Sequence, residues 1–263
     1  MDLGLENKSV IILAASKGLG KATALEFAKE GANVVIGSRK EEELEKTTGF
    51  IRRETDNPNV YYQVCDITKA EDIKSLVKFA AEKHGTVDVL INNAGGPPAG
   101  GFDKFDDETW QKAYELNLLS FVRAIREVLP YMRNQQSGHI LNFASSSIKQ
   151  TLDNLLLSNV FRAGIVGLSK SLSQELAPDN ILINTLGPGR IGTDRVEELD
   201  KIRANQQNLP YEEVKDSAEK NIPMGRYGKP EEFAKQAVFL CSSANTYVTG
   251  QTLLVDGGLV KAL

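Results

Sequence analysis

Two stretches of this 263-residue chain hold residue types at spacings that could do chemistry. In LLLSNVFRAGIVGLSKSL (155–172), Ser158 and Arg162 stand four residues apart, which makes them neighbours on a helix surface. A serine hydroxyl both donates and accepts hydrogen bonds. An arginine stays protonated, so Arg162 can hold ligand oxygens or stabilise an oxyanion but cannot relay a proton. Just upstream, NFASSS supplies Ser145, Ser146 and Ser147 at the end of an apolar run. The second stretch is LAASKGLGKATA, where Ala15, Ser16, Lys17, Gly18, Leu19 and Gly20 lie between a strand-like and a helix-like segment. Backbone N–H groups and the helix dipole at such a junction suit a pyrophosphate.

These residues need a frame. Seven apolar runs bounded by turn signals read as buried strands: VIILAA (10–15), ANVVIG (32–37), NVYYQVC (59–65), VDVLINNAG (87–95), HILNFAS (139–145), ILINTLG (181–187) and QTLLVDGG (251–258). Helical patterns lie between them, such as GKATALEFAKEG with Gly31 as its stop signal. The alternation predicts an α/β fold, a doubly wound parallel sheet of about seven strands with helices on both faces. With no repeat and no low-complexity linker, residues 1–263 read as a single dinucleotide-binding domain. Two segments interrupt the rhythm: the Gly/Pro loop GGPPAGGF (95–102) and the polar insertion 194–222, which reads as a substrate lid. The ligand crevice of an open α/β sheet lies at the strand C-termini, so both are candidate walls.

Composition narrows the classes. Thirty-one Lys and Arg against 35 Asp and Glu give a net charge of −4, and no basic stripe suggests nucleic acid as a partner. No apolar stretch has the length of a bilayer span and the N-terminus has no signal-peptide core, so a cytoplasmic protein without membrane partners is expected. Cys65, Cys241, His84 and His139 lack ligand spacing and read as structural; no metal is expected.

The chain resembles the short-chain dehydrogenase/reductase family, and its texture is similar to the 3-oxoacyl carrier-protein reductase branch. The resemblance is carried by the glycine loop (14–20), CDIT (65–68), NNAG (92–95), ELNLLS (115–120), ILNFASS (140–146), LGPGRIGT (186–193) and GQTLLVDGG (250–258). It implies a nicotinamide cofactor across the strand ends, with Asp66 and Ile67 toward the adenine and Asn93, Ala94 and Gly95 along the ribose. Pro188, Gly189 and Thr193 would border the nicotinamide. It also implies a homotetramer or dimer and a small-molecule carbonyl or alcohol substrate. At the end of the second strand VVIGSRKEE places Ser38 and Arg39 where an acidic residue would select NAD(H). Arg39, with Lys17 as a second cation, therefore favours NADP(H) over NAD(H).

The departures matter as much. Ala14 stands where the family has glycine, and alanine fits the turn if φ stays negative. Asn117 and Ser145 match two members of the family's catalytic tetrad. Gap-free alignment sets Ser158 at the tyrosine position and Arg162 at the lysine position, with Phe161, Ile165, Leu168, Leu172 and Leu176 as an apolar stripe on another face. An alkyl hydroxyl is a far weaker acid than a phenol, and losing a positioned general acid costs about 10²–10⁴ in rate. Three readings stay open: a reductase in which Ser145 and Arg162 polarise the carbonyl while water brings the proton; an inactive NADP(H)-binding sensor or partner subunit; or a Ser158–Arg162 pair that is ordinary helix surface. Lys149, Asp153 and Tyr114 are further proton-transfer candidates that read as structural or solvated. Arg190, Arg195, Lys149 and Arg162 could converge on an anionic substrate; alternatively Arg190 and Arg195 pair with Glu197, Glu198 and Asp200.

Overall fold

Runs of Val, Ile and Leu make strands that are buried on both faces, and a parallel sheet is where such strands belong. The computed structural model describes residues 2–262 and turns each of the seven apolar runs into a strand: β1 (Ser9–Leu13), β2 (Asn33–Ser38), β3 (Val60–Val64), β4 (Val89–Asn92), β5 (Gly138–Phe143), β6 (Ile181–Pro188) and β7 (Thr252–Val255). The order is β3-β2-β1-β4-β5-β6-β7, parallel throughout, with Val10 opposite both Val34 and Val89. Strand order reverses beside β1, so the crossovers leave a crevice at the C-terminal ends of β1 and β4.

The helices are α1 (Gly18–Lys29), α2 (Glu41–Thr55), α3 (Ala70–His84), α4 (Asp107–Tyr114), α5 (Ser120–Asn134), α6 (Leu156–Leu176), α7 (Asp194–Gln207), α8 (Tyr211–Lys220) and α9 (Pro230–Leu240). Phe27 of α1, Leu44 of α2 and Phe233 of α9 fill the core on one side of the sheet. Leu76 of α3, Phe121 of α5 and Ile165 of α6 fill the other. Between α4 and α5 the chain makes a π-helical turn at Glu115–Leu119, an irregularity common where a helix must aim a side chain at a site.

Two elements differ from what periodicity predicts. On α6 the buried stripe is Ser158, Arg162, Ile165, Ser169, Ser173 and Leu176, whereas Phe161, Leu168 and Leu172 are only half-buried. Ser158 and Arg162 thus lie on the sheet-facing side and not on another face. Small serines let the helix approach the strands closely, and Ser169 completes a buried hydrogen-bonded set with Asn142 and Thr185. The insertion at 194–222 folds into α7 and α8, and its polar composition conceals a half-buried apolar pair, Val196 and Leu199. No helix among the described residues is long and apolar enough to cross a membrane.

Candidate active site

The strand ends, α6 and α7 enclose a cleft of ≈ 790 Å³. Its phosphate end is built by the β1–α1 turn. Lys17 is extended at the start of α1, no side chain caps that terminus, and the first turn carries no acidic residue, which leaves main-chain N–H groups open to an anion. Gly18 has φ 55°, a backbone conformation that disfavours a side chain. A Cβ on Gly20 would meet the Ala15 Cα at 2.7 Å and the Ala14 carbonyl oxygen at 2.9 Å, so only glycine lets α1 pack this closely. Ser16, Lys17, Gly18 and Leu19 line the cleft, while buried Ala15 and Gly20 lie behind the wall. Ala14 corrects the sequence expectation: its φ is +48°, the left-handed region, and not negative. Its carbonyl accepts a hydrogen bond from Asn93 Nδ2 at 3.1 Å, which ties the turn to the end of β4.

At the β2–β3 end of the cleft the wall holds Ser38, Arg39, Asp66 and Ile67. The Ser16 hydroxyl donates to Ser38 Oγ at 3.1 Å. No acidic residue closes β2, and Arg39 forms no ion pair among the described residues. Lys17 is different: its ammonium lies 3.2 Å from Glu43 of α2, so it is not the free second cation that the sequence suggested. Burial pushes the Asp66 carboxyl up, but hydrogen bonds from the Thr68 hydroxyl and N–H, with the charges of Arg39 and Lys69, more than offset this and hold it below the usual carboxylate range.

The middle of the cleft is lined by Asn93, Ala94 and Gly95 after β4, and by Pro188, Gly189 and Thr193 after β6. Gly189 is fixed by its N–H donating to the Val255 carbonyl at 2.9 Å, and a Cβ there would lie 2.5 Å from the Asp256 Cβ.

Ser145 follows β5, is half-buried on the wall, and accepts at Oγ from the Ser147 N–H at 3.2 Å. Ser146 also reaches the wall, while Ser147 is buried with its hydroxyl lacking a partner among the described residues. Ser158, 8% exposed, and Arg162, 5% exposed, line the cleft across from them on α6. The Arg162 guanidinium donates to the Phe143 carbonyl at 2.7 Å and the Ala94 carbonyl at 3.3 Å, bridging the ends of β5 and β4. Burial pushes it down to about 10, so it remains a cation at neutral pH. Asn117, in the π-helical turn, sits fully buried behind the wall; its Nδ2 donates to the Ala113 carbonyl at 3.3 Å and its Oδ1 has no partner among the described residues.

Near α7 the charges are matched. Arg190 pairs with buried Asp200, which also accepts from the Tyr227 phenol at 2.8 Å. Arg195 donates to Glu198 at 2.9 Å and to the Pro97 carbonyl at 3.1 Å. Lys149 is exposed and does not line the cleft, so the suggested convergence of four cations is not formed. Asp153 and Tyr114 also lie off the wall, and Tyr114 packs on Phe161 with ring centroids 6.1 Å apart. Residues not singled out from sequence include Leu152, Leu155, Val196 and Leu199 on the wall. The i, i+3 spacing of Val196 and Leu199 was the available signal. Cys65 reaches the wall too, with burial pushing its thiol up to about 12. A smaller cavity of ≈ 210 Å³ near Lys8, Asp88 and His139 lies by the opposite strand ends and holds no comparable constellation. No group of three or more His, Cys, Asp or Glu with metal-binding geometry occurs among the described residues.

Residues 13–260 match the family model described as enoyl-(acyl carrier protein) reductase. A 3-oxoacyl-[acyl-carrier-protein] reductase of Thermotoga maritima is 36% identical over 258 residues, covering 97% of this chain and 99% of its own. Dehydrogenase/reductase SDR family member 4 of Sus scrofa is 35% identical, covering 98% and 89%. Among solved structures, the L-sorbose reductase of Gluconobacter frateurii in complex with NADPH and L-sorbose superposes with a TM-score of 0.94 at 32% identity and full coverage of both chains. An actinorhodin polyketide ketoreductase with NADPH gives 0.92 at 32% identity, covering 96% and 97%.

Proposed function

Because the chain belongs to the short-chain dehydrogenase/reductase family, we propose that it is an NADPH-dependent reductase converting a small-molecule carbonyl to an alcohol. The observation that carries the proposal is the cleft itself: an uncapped α1 terminus at one end, and an Arg39 that forms no ion pair among the described residues, with no acidic residue at the tip of β2. The residues fit NADP(H). The α1 N–H groups, Gly18 and Ser16 take the pyrophosphate; Ser38 and Arg39 take the 2′-phosphate; Asp66 and Ile67 flank the adenine; Asn93, Ala94 and Gly95 follow the ribose; Pro188, Gly189 and Thr193 border the nicotinamide. Bound NADPH supplies the hydride, and one proton completes the alcohol.

The chain's own part is an altered tetrad, with Ser145, Ser158 and Arg162 on the cleft wall and Asn117 buried behind it as a positioning residue. The Ser145 hydroxyl donates to the carbonyl oxygen, where one such donor is worth about 10²–10³ in rate. Arg162 sets a buried positive charge beside the developing alkoxide. Water in the space beside Ser158 delivers the proton. The α7–α8 segment serves as the lid of a single dinucleotide-binding unit. Assembly as a homotetramer or dimer would use α5 and α6, whose Leu129, Leu168 and Leu172 are only half-buried although they also pack on the chain's own core.

One observation favours a second reading, a catalytically inactive NADP(H)-binding sensor or partner subunit: the Arg162 donors are engaged by two main-chain carbonyls. Calorimetric titration with NADPH and NADH, followed by a carbonyl screen, separates the two. The reductase reading expects micromolar or tighter NADPH binding and substrate-dependent NADPH oxidation that falls about 10²–10³-fold in Ser145→Ala. Tight NADPH binding with background oxidation indifferent to Ser145→Ala establishes the binder instead.

A further inference from the structure

We propose that the substrate is an uncharged carbonyl compound bearing an apolar chain or ring, and not a carboxylate, a phosphate ester or a polyol; this rests on the reductase reading above. Two independent features of the α6–α7 end of the cleft carry it. The first is the wall: Leu152 and Leu155 before α6, Ile191 after β6, Val196 and Leu199 of α7, and Leu259 after β7 all face the same cavity. Val196 and Leu199 are apolar residues on a helix otherwise rich in charge, half-buried on its cleft side, which is the placement of a surface that a ligand covers.

The second feature is electrostatic. Two arginines at this end face carboxylates, Arg190 on buried Asp200 and Arg195 on Glu198, with the Pro97 carbonyl as a further partner of Arg195; Arg162, held by two main-chain carbonyls, keeps its charge for the reacting oxygen, and the Arg190 Nε has no partner among the described residues. An anionic group beyond the reacting carbonyl would have to displace Asp200 or Glu198 from its arginine and would also meet Asp194, which lines the same wall. A polyol would set some of its hydroxyls against the leucine and valine side chains, and polar groups left unpaired against apolar carbon are penalised. An apolar tail meets neither obstacle. The two ends of the cleft therefore differ in character: one offers free N–H groups and an arginine with no ion pair among the described residues, the other aliphatic carbon with Arg190 and Arg195 paired to carboxylates.

The test uses the purified full chain with a series of methyl ketones from butanone to decanone, and with keto acids of matched length. Binding is followed by calorimetry with and without saturating NADPH, and turnover by NADPH oxidation. The expected result is affinity or kcat/KM rising roughly fourfold for each added methylene, with each keto acid at least about tenfold weaker than its ketone. Leu199→Gln and Leu155→Gln, two changes on different elements, should each flatten the chain-length dependence while leaving the NADPH titration unchanged. Keto acids binding as well as ketones, or a chain-length dependence that is absent or survives both variants, overturns the proposal. Failure of the NADPH titration would remove the reductase reading, and the chain-length dependence without cofactor would still decide this inference.

Discussion

At the phosphate end of the cleft one residue departs from the family pattern and the backbone keeps its course: Ala14 adopts φ +48° and its carbonyl still receives Asn93. At the reactive end the proposed alignment has two residues depart, Ser158 and Arg162. Arg162 spends its guanidinium on the Phe143 and Ala94 carbonyls, bracing two strand ends, while Ser158 leaves its side of the wall without a phenol. Backbone geometry tolerates a substitution by accepting local strain, because the surrounding packing over-determines it. Chemistry has no such reserve, since an alkyl hydroxyl does not acquire a phenol's acidity from its surroundings. If Ser158 and Arg162 hold the places of the family's tyrosine and lysine, as proposed, the protein is expected to hold its cofactor better than it transfers protons.

The sharpest way to break this contrast is to restore the reactive end. Ser158→Tyr combined with Arg162→Lys should raise kcat by about 10²–10⁴, the usual worth of a positioned general acid, with little change in NADPH affinity. Stopped-flow NADPH oxidation on an identified ketone measures it. An unchanged kcat would show that proton delivery is not what the substitutions removed. The structural half of the same idea is tested by Arg162→Leu. Two buried carbonyls lose their donor at about 1–3 kcal/mol each, partly offset by relief of a buried charge, so urea unfolding should show a loss of about 2–4 kcal/mol. Stability equal to that of the parent would mean that burying the charge costs as much as its hydrogen bonds return.

At the other end Arg39→Ala should lower the NADPH-over-NADH preference by about tenfold to a hundredfold, the range of one charge-assisted contact to phosphate. Paired titrations with the two cofactors read it directly. Lys17, held by Glu43, gives a built-in comparison: Lys17→Ala should shift the preference less than Arg39→Ala. The reverse order would mean that the Lys17–Glu43 pair opens when the cofactor binds.

How much of this was legible follows from which forces are local. The strands were readable because runs such as VVIG and ILIN have no other stable placement than a doubly covered sheet. The α1 junction was readable because the glycine spacing reports a close approach that any side chain blocks, as Gly20 shows. The face of α6 was not, because hydrophobicity marked Phe161, Leu168 and Leu172, whereas close packing selected the serines at 158, 169 and 173. Partners distant in sequence were equally hidden: nothing in SKGLG announces Glu43, and nothing in LGPGR announces Tyr227.

Ala14 offers the smallest effect and the cleanest control on the cofactor end. A non-glycine residue in the left-handed region costs about 1–2 kcal/mol relative to one that is comfortable there, and glycine is comfortable. Against this, Ala14→Gly gives the unfolded chain more freedom to lose, about 0.4–1 kcal/mol. The strain is the larger of the two, so Ala14→Gly should stabilise the protein by roughly 0.5–1 kcal/mol in urea unfolding, with the gain present whether or not NADPH is bound. If NADPH affinity rises together with stability, the Cβ also crowds the cofactor. If stability rises alone, the turn already has the shape the pyrophosphate needs, and the alanine is a cost carried by the fold. A loss of stability would mean that the left-handed turn is held without strain, and the contrast with the reactive end would then rest on chemistry alone.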